Sequence, residues 1–123
     1  MAPGFENLIA WQRSRMVCAG IVPILRVAHA AHDWVLAQEL NKAAISTLAN
    51  IAEGYLRRSR RQRVYFFRIA AGSNGEARAC LYAAQDRQYA VPETCQRLID
   101  ATNETGRLLE GLIDRFEDPG PRT

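Results

Sequence analysis

Residues 50–63, Asn-Ile-Ala-Glu-Gly-Tyr-Leu-Arg-Arg-Ser-Arg-Arg-Gln-Arg, hold the end of one helix and the start of the next. Gly54 weakens the first of these near its C-terminus, a common stop signal. Ser59 followed at the right spacing by Gln62 reads as a capping box, with the serine capping a new helix and the glutamine reaching back. A turn this short between two long helices makes them antiparallel neighbours.

Working outward, the upstream helix extends over about 34–56. Asp33 is its N-cap, and Leu36, Leu40, Ala43, Ala44, Thr47, Leu48 and Ile51 recur at helical spacing. The downstream helix spans about 60–89 and carries Phe66, Phe67, Ala70, Ala77, Leu81 and Ala84. Within it, Gly72, Ser73 and Gly75 form a small-residue patch. A mid-helix glycine costs about 1 kcal/mol relative to alanine, so a closely approaching backbone is the expected compensation. Pro92 suits a first helical position, with Glu93 complementing the dipole. That helix, about 92–116, places Cys95, Leu98, Thr102, Thr105, Leu109, Leu112 and Phe116 on one face.

The N-terminal helix, about 8–29, has two apolar stripes. Leu8, Trp11, Cys18, Val22 and Leu25 form one, interrupted by Arg15; Val17, Ile21, Ile24 and Ala28 form the other. Two such faces exceed what a single packing contact needs, which favours an oligomer. Pro23 should kink this helix by removing a backbone hydrogen bond. No stretch keeps a strand's period of two for long. The reading is therefore a single all-α domain over residues 1–123, an up-and-down four-helix bundle with a fraying tail at 117–123.

The 123 residues are 48% hydrophobic and 24% charged, a globular balance. No apolar run approaches the roughly 18 residues of a membrane span, and the N-terminus lacks the basic start and apolar core of a secretory signal. Cys18, Cys80 and Cys95 match no zinc or redox spacing and read as free thiols in a reducing cytoplasm.

The net charge of +3 conceals an asymmetry. Between Glu53 and Glu76 no acidic residue occurs, yet Arg57, Arg58, Arg60, Arg61, Arg63 and Arg68 all fall there. Without those six the chain would carry a net −3. Arginine's planar fork suits phosphate and carboxylate. One reading is phosphate contact, with Tyr55 and Tyr65 available for stacking. The other is a solvated turn neutralised by Glu110, Asp114, Glu117 and Asp118, which the bundle brings to the same end. Folding about residue 58 also brings Lys42 within a helical turn of Glu76, an expected ion pair.

Chemistry is otherwise sparse. His29 and His32 share a spacing that can aim two imidazoles together, but no third ligand follows in sequence; histidines beside a helix C-terminus are the ordinary explanation. No serine sits on a nucleophile elbow, Gly72-Ser73-Asn74-Gly75 lies mid-helix and not in a phosphate loop, and the Glu-x-x-His pairs of a di-iron bundle are absent. The expectation is a protein with no catalytic site, metal or cofactor.

The run Ala43-Ala44-Ile45-Ser46, then Asn50-Ile51-Ala52-Glu53-Gly54-Tyr55, resembles the family of four-helix-bundle proteins encoded in intervening sequences of bacterial 23S ribosomal RNA genes. The likeness continues through Phe66-Phe67-Arg68-Ile69-Ala70-Ala71-Gly72-Ser73 and Glu76, and reaches Phe5-Glu6-Asn7-Leu8 and Gly106-Arg107-Leu108-Leu109-Glu110-Gly111-Leu112-Ile113. Asn41, Leu48 and Arg63 depart from the family's common residues. Lys42, Asn50, Glu53, Ser73 and Glu76 stand as its structural polar motif. The resemblance implies a non-enzymatic, ring-shaped homopentamer. It also implies a fold like that of the accessory variability protein of diversity-generating retroelements, a basic pentamer working with a reverse transcriptase and nucleic acid. The partners expected are thus further copies of the chain, RNA or DNA, or an acidic protein such as a reverse transcriptase, with no membrane.

Overall fold

The computed structural model describes residues 4–117. A 3-10 turn at Phe5–Asn7 precedes α1 (Ile9–Gly20), α2 (Val22–Ala30), α3 (Trp34–Leu56), α4 (Arg60–Asp86) and α5 (Pro92–Phe116). Helices α1 and α2 together form one member of a four-membered antiparallel bundle. They pack on α3, α3 packs on α4, α4 on α5, and α5 closes against α1. The α1/α2 member therefore lies diagonally across from α4.

The expected continuous helix over 8–29 is divided at Ile21. Pro23 has no N–H to donate to the Ala19 carbonyl. The ladder resumes where Leu25 N donates to the Ile21 carbonyl at 2.9 Å. The N-caps follow the sequence: Asp33 Oδ1 accepts from Leu36 N at 3.2 Å, and Ser59 Oγ from Gln62 N at 3.3 Å. The Gln62 side chain makes no return bond, so half of the expected capping box forms.

Helix α4 ends at Asp86, short of the expected Tyr89. Gln88 takes φ of 61°, and Tyr89 N donates to the Ala84 carbonyl at 3.0 Å. Helix α2 closes in the same way, with His32 at φ of 59° and Asp33 N bonded to the Ala28 carbonyl at 2.8 Å. Both are left-handed closures of the kind glycine usually supplies.

The core has two parts. The larger joins Val17, Ile21, Ile24 and Ala28 to Leu36, Leu40, Leu81 and Ile99; the smaller, at the α3/α4 turn, is Ala10, Ile51, Phe67, Ala70 and Leu109. Each fully buried Leu, Ile or Phe side chain contributes about 1.5–3 kcal/mol. The Val17 stripe is thus the buried face of the N-terminal member. The Leu8 stripe is half-covered, and its Val22 is exposed. Buried hydroxyls bond back into their own helices, Thr102 to the Ile99 carbonyl at 2.6 Å and Thr47 to the Ala43 carbonyl at 2.8 Å. Asn74 Nδ2 crosses from α4 to the Thr102 carbonyl at 2.8 Å. These three buried polar side chains are in this way satisfied, whereas Arg57 Nε and Gln85 Oε1 are buried with no hydrogen-bond partner among the described residues.

Two expectations are corrected. A Cβ on Gly72 would meet nothing within 4 Å, and one on Gly75 only the end of Arg78 at 3.7 Å, so of the small-residue patch neither glycine serves a close approach within the chain, and only Ser73 meets α3, at Ser46. The close approaches lie elsewhere: a Cβ on Gly54 would fall 2.7 Å from the Phe67 ring, and one on Gly20 would fall 2.5 Å from Leu98. Gly54 is therefore a packing residue as well as lying near the end of α3, which stops at Leu56 as expected. Second, Lys42 and Glu76 form no ion pair, although both are exposed on the α3/α4 side. In water such a pair gains too little to fix two long side chains.

Candidate nucleic-acid interface

The six arginines divide into two groups according to what their backbone positions allow. Arg57, at the C-cap of α3, is one helical turn from Glu53 and pairs with it, and its guanidinium lies 5.0 Å from the Phe66 ring centre. Arg63 Nε donates to the Arg57 carbonyl at 2.6 Å, and its guanidinium sits 4.9 Å over Phe116. Arg68 reaches α5 and pairs with Glu117. These three tie α3, α4 and α5 together at the turn. Exposed pairs of this kind are each worth about 0–1 kcal/mol, so their value is positional.

Arg58, Arg60 and Arg61 are exposed, and among the described residues none has an ion-pair or hydrogen-bond partner. Arg60 and Arg61, with Ser59, Val64, Phe116 and Glu117, line a surface cleft of about 670 Å³. The first turn of α4 presents its positive dipole end beside them. Of the acids expected to neutralise the turn, Glu117 does so for Arg68, while Glu110 and Asp114 make no ion pair; Asp118 lies outside the described residues.

The aromatics divide similarly. Tyr65 is 61% exposed and meets Phe66 in a T-shaped contact with ring centres 5.1 Å apart. Tyr55 is half-buried, in a recess with Leu8, Phe67 and Leu112. Phe116 already carries Arg63 and Arg115 over its ring, the latter at 5.6 Å.

Only part of the polar motif forms a connected network. The Ser46 and Ser73 hydroxyls are 2.7 Å apart, and Asn50 Nδ2 donates to the Ser46 carbonyl at 2.8 Å and to its hydroxyl at 3.1 Å. This cluster fixes the register of α3 against α4. Glu53 holds Arg57 instead, and Lys42 and Glu76 stand apart. Ser46 escaped the site reading, although its place one turn before Asn50 put both on one face.

At the opposite end, His29 and His32 are exposed and flank Trp34, with ring centres at 5.1 and 5.5 Å. Among the described residues no three His, Cys, Asp or Glu side chains gather as a metal site. Tyr89 Oη donates to Asp33 Oδ2 at 2.8 Å, and Arg87 Nε lies 3.4 Å from the same oxygen. The Tyr89 hydrogen bond, then the Leu36 amide, hold the Asp33 carboxyl below its ordinary range, and the same bond pushes the Tyr89 phenol up. The three cysteines are free, with thiols raised chiefly by burial; the charges of Glu39 and Glu76 add to this at Cys80. No described helix is long and apolar enough to cross a membrane.

The family described as 23S rRNA-intervening sequence protein matches residues 6–111 of the chain. No curated protein matches it. A crystal structure from Bacteroides thetaiotaomicron, of a protein with unknown function from the S23 ribosomal protein family, is similar with a TM-score of 0.78. At 20% identity it covers 85% of this chain and 98% of its own, which establishes a shared fold.

Proposed function

Because the chain belongs to the 23S rRNA-intervening sequence protein family, we propose that it is a non-enzymatic bundle that assembles with copies of itself, as a ring, and contacts RNA phosphates through its α3/α4 turn. One observation carries the RNA reading: Arg58, Arg60 and Arg61 crowd one turn, exposed and unpaired among the described residues. Three uncompensated guanidiniums exceed what solubility asks of a single turn, and the dipole of α4 adds to their field. Around a ring these turns would repeat, and multivalency would raise a weak phosphate affinity. Contact would be mainly electrostatic and poorly selective for sequence.

The test is titration of a structured RNA at two salt concentrations, with wild type beside an Arg58→Ala/Arg60→Ala/Arg61→Ala variant. Arg57, Arg63 and Arg68 stay intact because they hold the turn together. Binding should weaken with salt, and the variant's salt dependence should be shallower by about 2 to 3 per engaged protomer. No saturable binding at low salt refutes the reading.

A second reading has its own support in Leu56, 62% exposed next to the arginines. Apolar surface beside unpaired cations also suits an acidic protein, such as a reverse transcriptase surface. Salt-sensitive capture by an acidic protein, with no affinity for RNA, would select it.

A further inference from the structure

We infer that Glu117 is a built-in competitor at the α3/α4 turn: its carboxylate holds the Arg68 guanidinium, and RNA gains that arginine as a further phosphate contact only by displacing it. This rests on the phosphate-contact reading above and adds how the same site is restrained.

The first observation is where the pair stands. Arg61, Val64 and Arg68 follow one another at intervals of three and four residues, so they share one ridge of α4. Arg61 and Val64 line the cleft at the turn, and Glu117 lines it from the end of α5. From there its carboxylate takes the Arg68 guanidinium. A phosphate seated on Arg60 and Arg61 therefore finds the next cation of the ridge, about 10 Å further along the helix, already occupied.

The second observation is that the carboxylate is aimed. The chain turns extended at Glu117, whose N–H still donates to the Ile113 carbonyl at 2.8 Å. Its neighbour Phe116 packs beneath the Arg63 guanidinium at 4.9 Å. Both contacts fix the backbone from which the side chain reaches Arg68. Glu110 and Asp114, the acids of the preceding turns, are exposed and hold no cation among the described residues. Competition is thus the property of one carboxylate and not of an acidic helix end.

The third observation is strength. The Arg68 and Glu117 side chains are 56% and 47% exposed, so water reaches both partners. A pair of this kind is worth at most about fivefold in an equilibrium constant. Carboxylate and phosphate match the same planar fork of donors, so one replaces the other and does not add to it. A contact this weak yields to an RNA already held at Arg58, Arg60 and Arg61. It withstands a lone anion that brings no other contact.

The test repeats the titration of the structured RNA at about 0.1 M salt, where charges more than about 10 Å apart are largely screened. Wild type is compared with Glu117→Gln, with Glu110→Gln as an equal change of charge on the same helix, and with Arg68→Gln alone and combined with Glu117→Gln. Circular dichroism confirms native helix content in each. Glu117→Gln should bind about two- to fivefold more tightly than wild type, and Glu110→Gln should gain less. In the Arg68→Gln background the gain from Glu117→Gln should shrink towards that of Glu110→Gln, since no masked arginine is left to release. A pair that only braces the turn predicts the opposite sign, weaker binding when it is broken. Binding by Glu117→Gln that equals or falls below wild type overturns the inference while RNA contact stands. So does a gain matched by Glu110→Gln, or one undiminished without Arg68. Absence of saturable binding in every protein of the set removes the RNA reading beneath it.

Discussion

Replacing Gly54 by alanine should destabilise the bundle, whereas the same change at Gly111 should stabilise it. The added methyl at Gly54 would lie 2.7 Å from both Cδ1 and Cε1 of Phe67 and 3.3 Å from the Arg63 carbonyl oxygen. Carbon atoms pack best at about 3.5–4.0 Å, so the ring is overlapped by roughly 1 Å. Phe67 is fully buried against Ile51, Ala70 and Leu109, and the Phe116 ring stands 6.3 Å from it. The ring borders only the small recess it shares with Leu8, Tyr55 and Leu112, a shift into it would disturb the packing on Ile51 and Leu109, and the Arg63 carbonyl is backbone. Overpacking of a tight core costs about 1–3 kcal/mol. Against this, alanine gains at most about 1 kcal/mol of helix propensity. The net expectation is a loss of about 1–2 kcal/mol. At Gly111 a Cβ meets nothing within 4 Å, so only the gain remains, close to 1 kcal/mol. Urea unfolding followed by circular dichroism, at one fixed protomer concentration, reads both. Adding Phe67→Leu to Gly54→Ala should recover part of the loss, because the smaller side chain vacates the overlapped volume. Equal shifts of one sign at the two glycines would refute the argument from space.

Other tests probe the opposite end. Gln88→Gly should raise stability by roughly 0.5–1 kcal/mol in the same assay, since relief of a left-handed backbone outweighs glycine's entropy cost; a loss there would refute the strained closure. Asp33→Asn should be less stable than wild type at pH 7. Because the Asp33 carboxyl titrates lower in the folded chain than in the unfolded one, its contribution is present above pH of about 4 and fades as pH falls through the depressed value. The two proteins' melting curves should converge in acid, and a gap constant with pH would refute that origin. Cys95 is fully buried, so a thiol reagent should label it only after denaturation. Labelling in the native protein at the rate of a free thiol would contradict its packing.

Where local chemistry decides, the sequence was a sufficient guide. Asp33, Ser59 and Pro92 each begin a helix by a mechanism written in the residue itself, and α3 and α5 run over the expected residues. Where the deciding partner is distant, it was not. Gly54 reads as a stop signal and α3 does end two residues beyond it, but its second role, leaving room for the Phe67 ring, is set by another helix. Gly72 and Gly75 looked like a packing patch because two small residues say nothing of which side they face. The α4 terminus was misplaced by three residues, since Gln88 closes it in a conformation usually left to glycine. At the candidate interface, composition found the six arginines but not their division. Arg57, Arg63 and Arg68 are distinguished from Arg58, Arg60 and Arg61 by Glu53, Phe66, Phe116 and Glu117, three of which are far away in sequence or across the turn.

The unequal division of the core bears on how the molecule fluctuates. Local opening is governed by the apolar contact that must be surrendered, and the end carrying the arginine turn rests on the smaller cluster, in which Phe67 and Leu109 are the large side chains beside Ile51. Amides in the last turns of α3 and the first turns of α4 should therefore exchange with solvent sooner than those around Leu40 and Leu81. An anion clasped by the turn would slow that exchange, making the breathing of one end a readout of what it holds.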